Sequence, residues 1–219
     1  MYNHNDPYAN RDPRFYATVY YNGSKRYCNW STAAQKTFFE NLGQGTGSMT
    51  RIITTWDAYQ KEDGSIENAA EPLMGRKVVG EKIRTNTRTG YYQRKFLHPN
   101  SGVEMRIQGA RHKDYRLAEI YLNFAEAAME ANHSAEAITY VNKVRARVGM
   151  PGLPAGLTGD ALRQRIHNER RVELALEGNR YFDVRRWHKP NEDLSDTDRW
   201  VTAAHITHMN DGSYKYERT

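Results

Sequence analysis

The chain has 219 residues, of which 38% are apolar: too many for a disordered polymer, yet nowhere gathered into the ~20-residue apolar run that crosses a bilayer as a helix. A formal charge of +6 and a pI near 9.3 invite a nucleic-acid partner, but acids interleave with the bases, as in Glu169-Arg170-Arg171 and Glu173, so the charge is neutralised locally and no nucleic acid is expected. Cys28 is the one cysteine, which excludes an internal disulfide.

Residues 1–13 are polar and read as an entry loop. From Phe15 the pattern has period two: Phe15, Ala17, Val19 and Tyr21 alternate with Arg14, Tyr16, Thr18 and Tyr20. Asn22-Gly23 follows, and both residues tolerate the positive φ of a type I′ turn, so a β-hairpin is expected over about 15–30 with Tyr21 facing Ser24 and Phe15 facing Trp30. Gly43-Gln44-Gly45-Thr46-Gly47-Ser48 lacks the lysine end of a phosphate-binding loop and reads as a plain surface loop. Gly90 to Leu97 reads as a short strand and Pro99 to Gly102 as a turn.

The second half is helical in pattern. With Asp114 as N-cap, Leu117, Ile120, Tyr121, Phe124 and Ala128 keep the spacing of one buried stripe. Asn132-His133 breaks that helix; Ser134 caps a second, with Ala137, Ile138, Val141, Val144 and Val148 facing one way, and Gly149 and Pro151 stop it. The alanines around the turn let two helices approach closely, as in tetratricopeptide-like pairs. A third helix starts at Thr158 or Asp160, buries Leu162, Ile166 and Leu174, and is expected to end at Gly178, after which Tyr181, Phe182, Val184 and Trp187 form an aromatic segment. Residues 200–210 read as at most a short helix.

Glu169, Glu173 and Glu177 recur every four residues, and like charges at that spacing repel by roughly 0.2–0.5 kcal/mol per pair. Arginines close in sequence are the expected compensation. A structural ion-pair network is therefore assigned to Glu169, Arg170, Glu173, Glu177, Arg180, Asp183, Arg185 and Arg186. A carboxylate di-metal centre needs Glu-x-x-His twice, and Glu130 with His133 gives it once; His205 and His208 lack a third ligand, so no metal and no cofactor is expected. No nucleophile-and-base arrangement stands out, so no catalytic residue is assigned. What remains is 15 Tyr and 4 Trp, with flat amphipathic rings and amides gathered before residue 60. A sugar offers an apolar face and a rim of hydroxyls, which such side chains suit; Tyr27, Tyr20, Tyr16, Asn29, Trp30, Trp56 and Tyr59 are the expected glycan-binding set.

Several stretches carry a family resemblance: Asn10-Arg11-Asp12-Pro13-Arg14-Phe15, Tyr21-Asn22-Gly23, Thr89-Gly90-Tyr91-Tyr92-Gln93-Arg94-Lys95-Phe96, the helix from Arg116 to Ala127, Val141 to Gly149, and Glu169-Arg170-Arg171 through Gly178 to Trp187. In that order they resemble the SusD/RagB family, in its C-terminal portion. The resemblance implies a mainly α fold of tetratricopeptide-type helix pairs decorated by long loops and a short β-hairpin. It also implies a non-catalytic, surface-exposed outer-membrane lipoprotein that binds an oligosaccharide or polysaccharide and passes it to a SusC-like, TonB-dependent transporter. A lipid anchor and the first half of the fold are expected to lie outside this sequence. Within it, residues 1–110 are expected to form a loop-rich, ligand-facing region and residues 111–219 a helical scaffold. The alternative is a tetratricopeptide-like scaffold that binds protein and no sugar; a glycoside hydrolase is a remote third.

Overall fold

The structure is a computed structural model that describes residues 6–27, 50–53, 55–56, 58–68, 89–97, 114–187 and 204–218. The chain divides into a strand unit, Met1–Asn10, Val19–Ala110 and Trp200–Thr219, and a helical unit, Arg11–Thr18 and Arg111–Arg199. Two segments thus depart from the expected division at residue 110. The chain dips into the helical unit over Arg11–Thr18, and its last segment belongs to the strand unit.

The helical unit contains α1 (Pro13–Thr18), α2 (Leu117–Glu130), α3 (Ser134–Ala146), α4 (Gly159–Glu173) and α5 (Asn179–Trp187). Leu122, Ala125, Met129, Val141, Val144, Leu162 and Ile166 are buried together, joining one face each of α2, α3 and α4. A Leu→Ala change in such a core costs about 2–5 kcal/mol. α2 and α3 both close on the same bond pattern. The His133 amide reaches the Ala128 carbonyl at 2.8 Å with Asn132 at φ 65, and the Met150 amide reaches the Arg145 carbonyl at 3.1 Å with Gly149 at φ 71. Each caps orphan carbonyls through a left-handed residue. The segment after α3 is pinned back on it by Asn142, whose Oδ1 accepts the Leu153 amide at 2.7 Å, and by Arg145 Nε bonding the Pro151 carbonyl at 2.7 Å.

α2 begins after Arg116, not at Asp114. Its buried stripe is Leu122, Ala125 and Met129; Leu117, Ile120 and Phe124, expected inside, are 63%, 51% and 41% exposed on the opposite side. Both faces satisfy the helical spacing, and only packing partners decide which one is covered. α4 ends earlier than expected. Leu174 is its C-cap, Leu176 takes a positive φ of 64, and Gly178, at φ 82, opens into α5 instead of closing α4.

The expected hairpin over 15–30 does not form. Residues Pro13–Thr18 are the helix α1, because Pro13 suits a first helical position and Asp12 caps it, its Oδ1 accepting the Arg14 amide at 2.9 Å. The turn at Asn22-Gly23 is present, with Gly23 at φ 84 and the Ser24 amide bonded to the Tyr21 carbonyl at 3.0 Å, but its flanks go to different partners. β1 (Val19–Tyr20) pairs with β6 (Tyr92–Gln93), and β2 (Lys25–Tyr27) pairs with β3 (Thr50–Ile52), both antiparallel. The remaining strands of this unit are β4 (Ala58–Gln60), β5 (Ile66–Asn68), β7 (Ala204–His208) and β8 (Tyr214–Arg218), in one sheet of order β5-β4-β7-β8. Residues 204–208, read from sequence as part of a short helix, are the strand β7. Asp63-Gly64 and Asp211-Gly212 make the two tight hairpin turns, Gly64 and Gly212 both having positive φ. Among the described residues, the short β-hairpins therefore sit at 58–68 and 204–218.

Candidate functional site

The carboxylates of α4 form a closed electrostatic corner within the helical unit. Glu169 accepts Arg14 Nη1 at 2.5 Å on one oxygen and Arg145 Nη1 at 2.7 Å on the other. Glu173 accepts Arg116 at 2.9 Å, Arg147 at 2.8 Å and Arg14 at 3.1 Å. Arg116 also grips Glu177 with Nε at 2.8 Å and Nη2 at 2.7 Å. Burial pushes the Glu173 carboxyl up, but bonds from Arg116 and Arg14 outweigh it and hold the group below the usual carboxylate range. Arg14 likewise bonds Asp12, at 2.7 Å, and holds that carboxyl low.

A second cluster adjoins. Arg170 grips Asp183 with two bonds of 3.0 and 3.1 Å, and bonds Asn123. Arg186 bonds both oxygens of Glu126 and, at 2.9 Å, Asp183. Trp187 Nε1 donates to Glu126 at 2.7 Å, and the Trp187 ring lies flat on His167 at 3.6 Å and 11°. An open cleft of about 390 Å³ is lined by Asn123, Glu126, Ala127, Glu130, Arg170 and Arg186. Its charged groups are already paired, Glu126 with Arg186, Arg170 with Asp183 and Glu130 with Arg163, which leaves little for a ligand to recruit.

The residue types are those expected, but several partners are not. The arginines on Glu169 and Glu173 come from α1, the start of α2 and the end of α3; Arg170 and Arg186 serve Glu126 and Asp183. Neighbours at i, i+1 on a helix do not face each other, so the arginines beside the glutamates in sequence point elsewhere. Arg185 lies over the Tyr181 ring at 3.5 Å, and Arg180 is 5.9 Å from the Trp187 ring. Arg14, Arg116, Arg145, Arg147, Glu126 and Asp12 were missed. One signal for Glu126 existed: a carboxylate between Ala125 and Met129, on the face that turns inward.

The expected glycan-binding aromatics separate. Tyr16 belongs to α1, its hydroxyl accepting the Arg11 amide at 3.2 Å. Tyr20 is 8% exposed, with the Arg94 guanidinium 5.4 Å from its ring, which leaves no face for a sugar. Tyr27 sits on β2, while Asn29 and Trp30 lie outside the described residues. Trp56 and Tyr59 do come together, in company the sequence did not suggest.

Register explains the grouping. Glu67 pairs with Tyr59, Tyr59 with His208 and His208 with Tyr214, so one residue from each of the four strands forms a single row across one face of the sheet. Trp56 stacks on His208 with ring centroids 5.7 Å apart and 26° between planes, and meets Tyr59 edge-on at 6.4 Å. His208 is 5.1 Å from Tyr214, which leads on to Tyr216 at 6.4 Å and then Tyr8 at 5.3 Å. Asn22 caps this run, its Nδ2 reaching the Tyr216 hydroxyl at 3.4 Å and its Oδ1 accepting the Thr55 amide at 3.0 Å. Tyr59 Oη donates to Glu67 at 3.0 Å, a bond that pushes the phenol's pKa up, and Glu67 also holds Lys61 at 2.5 Å. Trp56, Tyr59, His208, Tyr214 and Tyr216 are all half-buried: fixed, yet open to solvent. Among the described residues, no cluster of His, Cys, Asp and Glu is arranged to hold a metal. The row was legible in one respect, since Asp63-Gly64 and Asp211-Gly212 are hairpin signals with alternating residues on both sides.

The sequence profile of the SusD family matches residues 1–218. The chain belongs to the SusD family. Two SusD-like proteins of Formosa agariphila, P2 and P25, are similar to it, at 37% identity over 110 residues and 41% over 76, covering 47% and 33% of this chain. A solved SusD-like protein of Bacteroides fragilis superposes with a TM-score of 0.62 at 27% identity over 97% of this chain. The chain spans 21% and 14% of the two Formosa relatives and 34% of the solved one. The mainly helical SusD-like fold expected from the motifs is thus borne out, together with the family.

Proposed function

We propose that this SusD family chain is part of a non-catalytic, glycan-binding nutrient-uptake protein at the outer-membrane surface, held there by a lipid anchor, which delivers oligosaccharide to a SusC-like, TonB-dependent transporter. The observation that carries the reading is the row Tyr59–His208–Tyr214, held in place by strand pairing, with Trp56 stacked on His208: half-buried rings gathered on one face of a sheet. The engaged state of Glu169 and Glu173 supports binding without catalysis, because carboxylates saturated by arginine are poor proton-transfer groups.

Native gels cast with a panel of polysaccharides test this directly. The expected result is retardation by at least one glycan with no released sugar, weakened in Trp56→Ala by about 2 kcal/mol, roughly thirtyfold. Full retention of binding in Trp56→Ala moves the site elsewhere; released sugar overturns the non-catalytic assignment. The scaffold reading draws support from the exposed stripe Leu117, Ile120 and Phe124, a second apolar face on α2. Retardation by no glycan, with a protein captured through that stripe, favours it.

A further inference from the structure

Tyr59, His208 and Tyr214 stand on strands, so register fixes them. Trp56 does not, since it lies between β3, which ends at Ile52, and β4, which begins at Ala58. Its place against His208 depends on how the chain just before it is held. There the turn at residues 21–24 takes hold: the Gly23 amide donates to the Ile53 carbonyl and the Ile53 amide to the Ser24 carbonyl, both at 2.8 Å. The next hold is a side chain, Asn22, whose Oδ1 accepts the Thr55 amide at 3.0 Å, one residue before Trp56. The same carboxamide reaches with Nδ2 to the Tyr216 hydroxyl, at 3.4 Å, on the strand that also carries Tyr214. Asn22 and Thr55 are 4% and 5% exposed, so bulk water is in no position to replace the bond between them.

Resting on the glycan-binding reading above, we propose that Asn22 is the positioning residue of the aromatic row: it sets the Trp56 ring against His208, and through that ring the affinity for the sugar. The turn itself does not need the Asn22 side chain. Gly23 supplies the positive φ of 84, the Ser24 amide bonds the Tyr21 carbonyl at 3.0 Å, and Ser24 Oγ donates to the same carbonyl at 2.7 Å. An apolar residue at position 22 therefore keeps the turn and its two backbone bonds to Ile53, while the Thr55 amide loses its acceptor. A buried amide without a partner is costly enough that the chain shifts to find one, and the side chain that shifts with Thr55 is Trp56. Stacking is sensitive to such a shift, because a gap of about 0.5–1 Å already forfeits a quarter to a half of a dispersion contact.

The test uses the 219-residue chain in affinity gels cast with starch, β-glucan, xylan and alginate, and takes the polymer that retards the parent. Asn22→Ala is expected to weaken retardation about tenfold, and Asn22→Ala with Trp56→Ala no more than Trp56→Ala alone, because a brace has nothing to position once the indole is gone. Losses that multiply in the double variant, or an Asn22→Ala chain that binds as the parent does, overturn the assignment. Asn22→Asp restores an acceptor for the Thr55 amide and should recover most of the lost retardation; a folded Asn22→Asp chain as weak as Asn22→Ala overturns it as well. A second measurement needs no glycan. Trp56 emission, taken as the difference between each chain and its Trp56→Phe counterpart, shifts to longer wavelength in Asn22→Ala as the indole leaves the His208 ring, and unchanged emission overturns the positioning role. Retardation of the parent by no polymer, with that shift present, overturns the glycan-binding reading and the part assigned to Asn22 in recognition.

Discussion

In the helical unit arginine and carboxylate meet against α4, where the side chains of Glu169 and Glu173 keep 2% of their surface; in the strand unit the corresponding pair, Lys61 and Glu67, keeps 46% on each partner. The strand unit uses its rings as the helical unit uses its charges. His208 and Tyr214 are fixed by register and Trp56 by stacking on His208, and all three stay half-buried. The contrast separates holding from recognising. A buried charge satisfied on every side cannot be recruited by a ligand without breaking what keeps it there, whereas a half-buried ring loses nothing when a sugar covers it.

The largest break should come at the hub of the corner. Glu173→Ala leaves Arg14, Arg116 and Arg147 converging on an empty site, and removal of one partner from a buried network costs about 3–5 kcal/mol. At roughly 2–4 °C per kcal/mol for a chain of this size, thermal denaturation should show a melting temperature lower by about 10 °C. Glycan retardation by the folded protein should be unchanged. An unaltered melting temperature would sink the structural role of the corner; a lost glycan with normal melting would sink the division between holding and recognising.

Next is Gly90, in the strand unit, whose Thr89 carbonyl accepts the Ala204 amide at 3.1 Å at the head of β7. A Cβ here would stand 2.9 Å from the Ala204 carbonyl oxygen, on a backbone at φ +77. The left-handed backbone alone costs about 1–2 kcal/mol for a residue other than glycine, and the close approach adds to it. Gly90→Ala should therefore speed amide exchange along β7 and weaken glycan retardation through His208, with the exchange of α2 and α3 amides unaffected.

The helical fold was legible because helix spacing is a local property: α3 and the core positions Leu162 and Ile166 follow from residues within one or two turns. The corner was legible only in residue type. Glu169 and Glu173 announce that arginines must come, but which arginines arrive depends on how four elements cross, and that is not written in any short window. The strand unit fared worst. Phe15 to Tyr21 has a faultless two-residue period, yet Asp12, Pro13 and the pull of two buried glutamates on Arg14 make most of it a helix. His208 joins Tyr59 through a parallel pairing across about 150 residues, a contact that no local pattern encodes.

A smaller effect tests the corner through pH. Burial holds the His167 imidazole below its ordinary value of 6.5, so the unfolded chain takes up the proton more readily than the folded one. Stability is then highest above pH 6.5 and falls as pH drops from that value toward the lowered folded pKa. Glu173 and Glu126, held low by their arginines, add a second loss only as pH falls below their ordinary 4.5. His167→Phe keeps a flat ring on Trp187 and removes the titration. Its melting temperature should stay level between pH 7 and 5.5 where that of the parent chain declines, and parallel profiles would show that His167 does not set the upper stage.

The smallest expected effect sharpens the comparison most, because the chemistry is the same as at the hub and only the surroundings differ. Arg163 bonds Glu130 with Nε at 2.7 Å and Nη2 at 3.0 Å, as good a bidentate pair as Arg116 makes with Glu177, but the Glu130 side chain is 52% exposed. Water solvates both groups when the pair is broken, and exposed pairs contribute about 0–1 kcal/mol. Arg163→Ala should accordingly lower the melting temperature by no more than about 4 °C, with the loss shrinking further in salt, while Glu173→Ala keeps most of its effect there. Equal losses from the two variants would mean that burial is not what distinguishes the corner, and that its cohesion comes from helix packing alone.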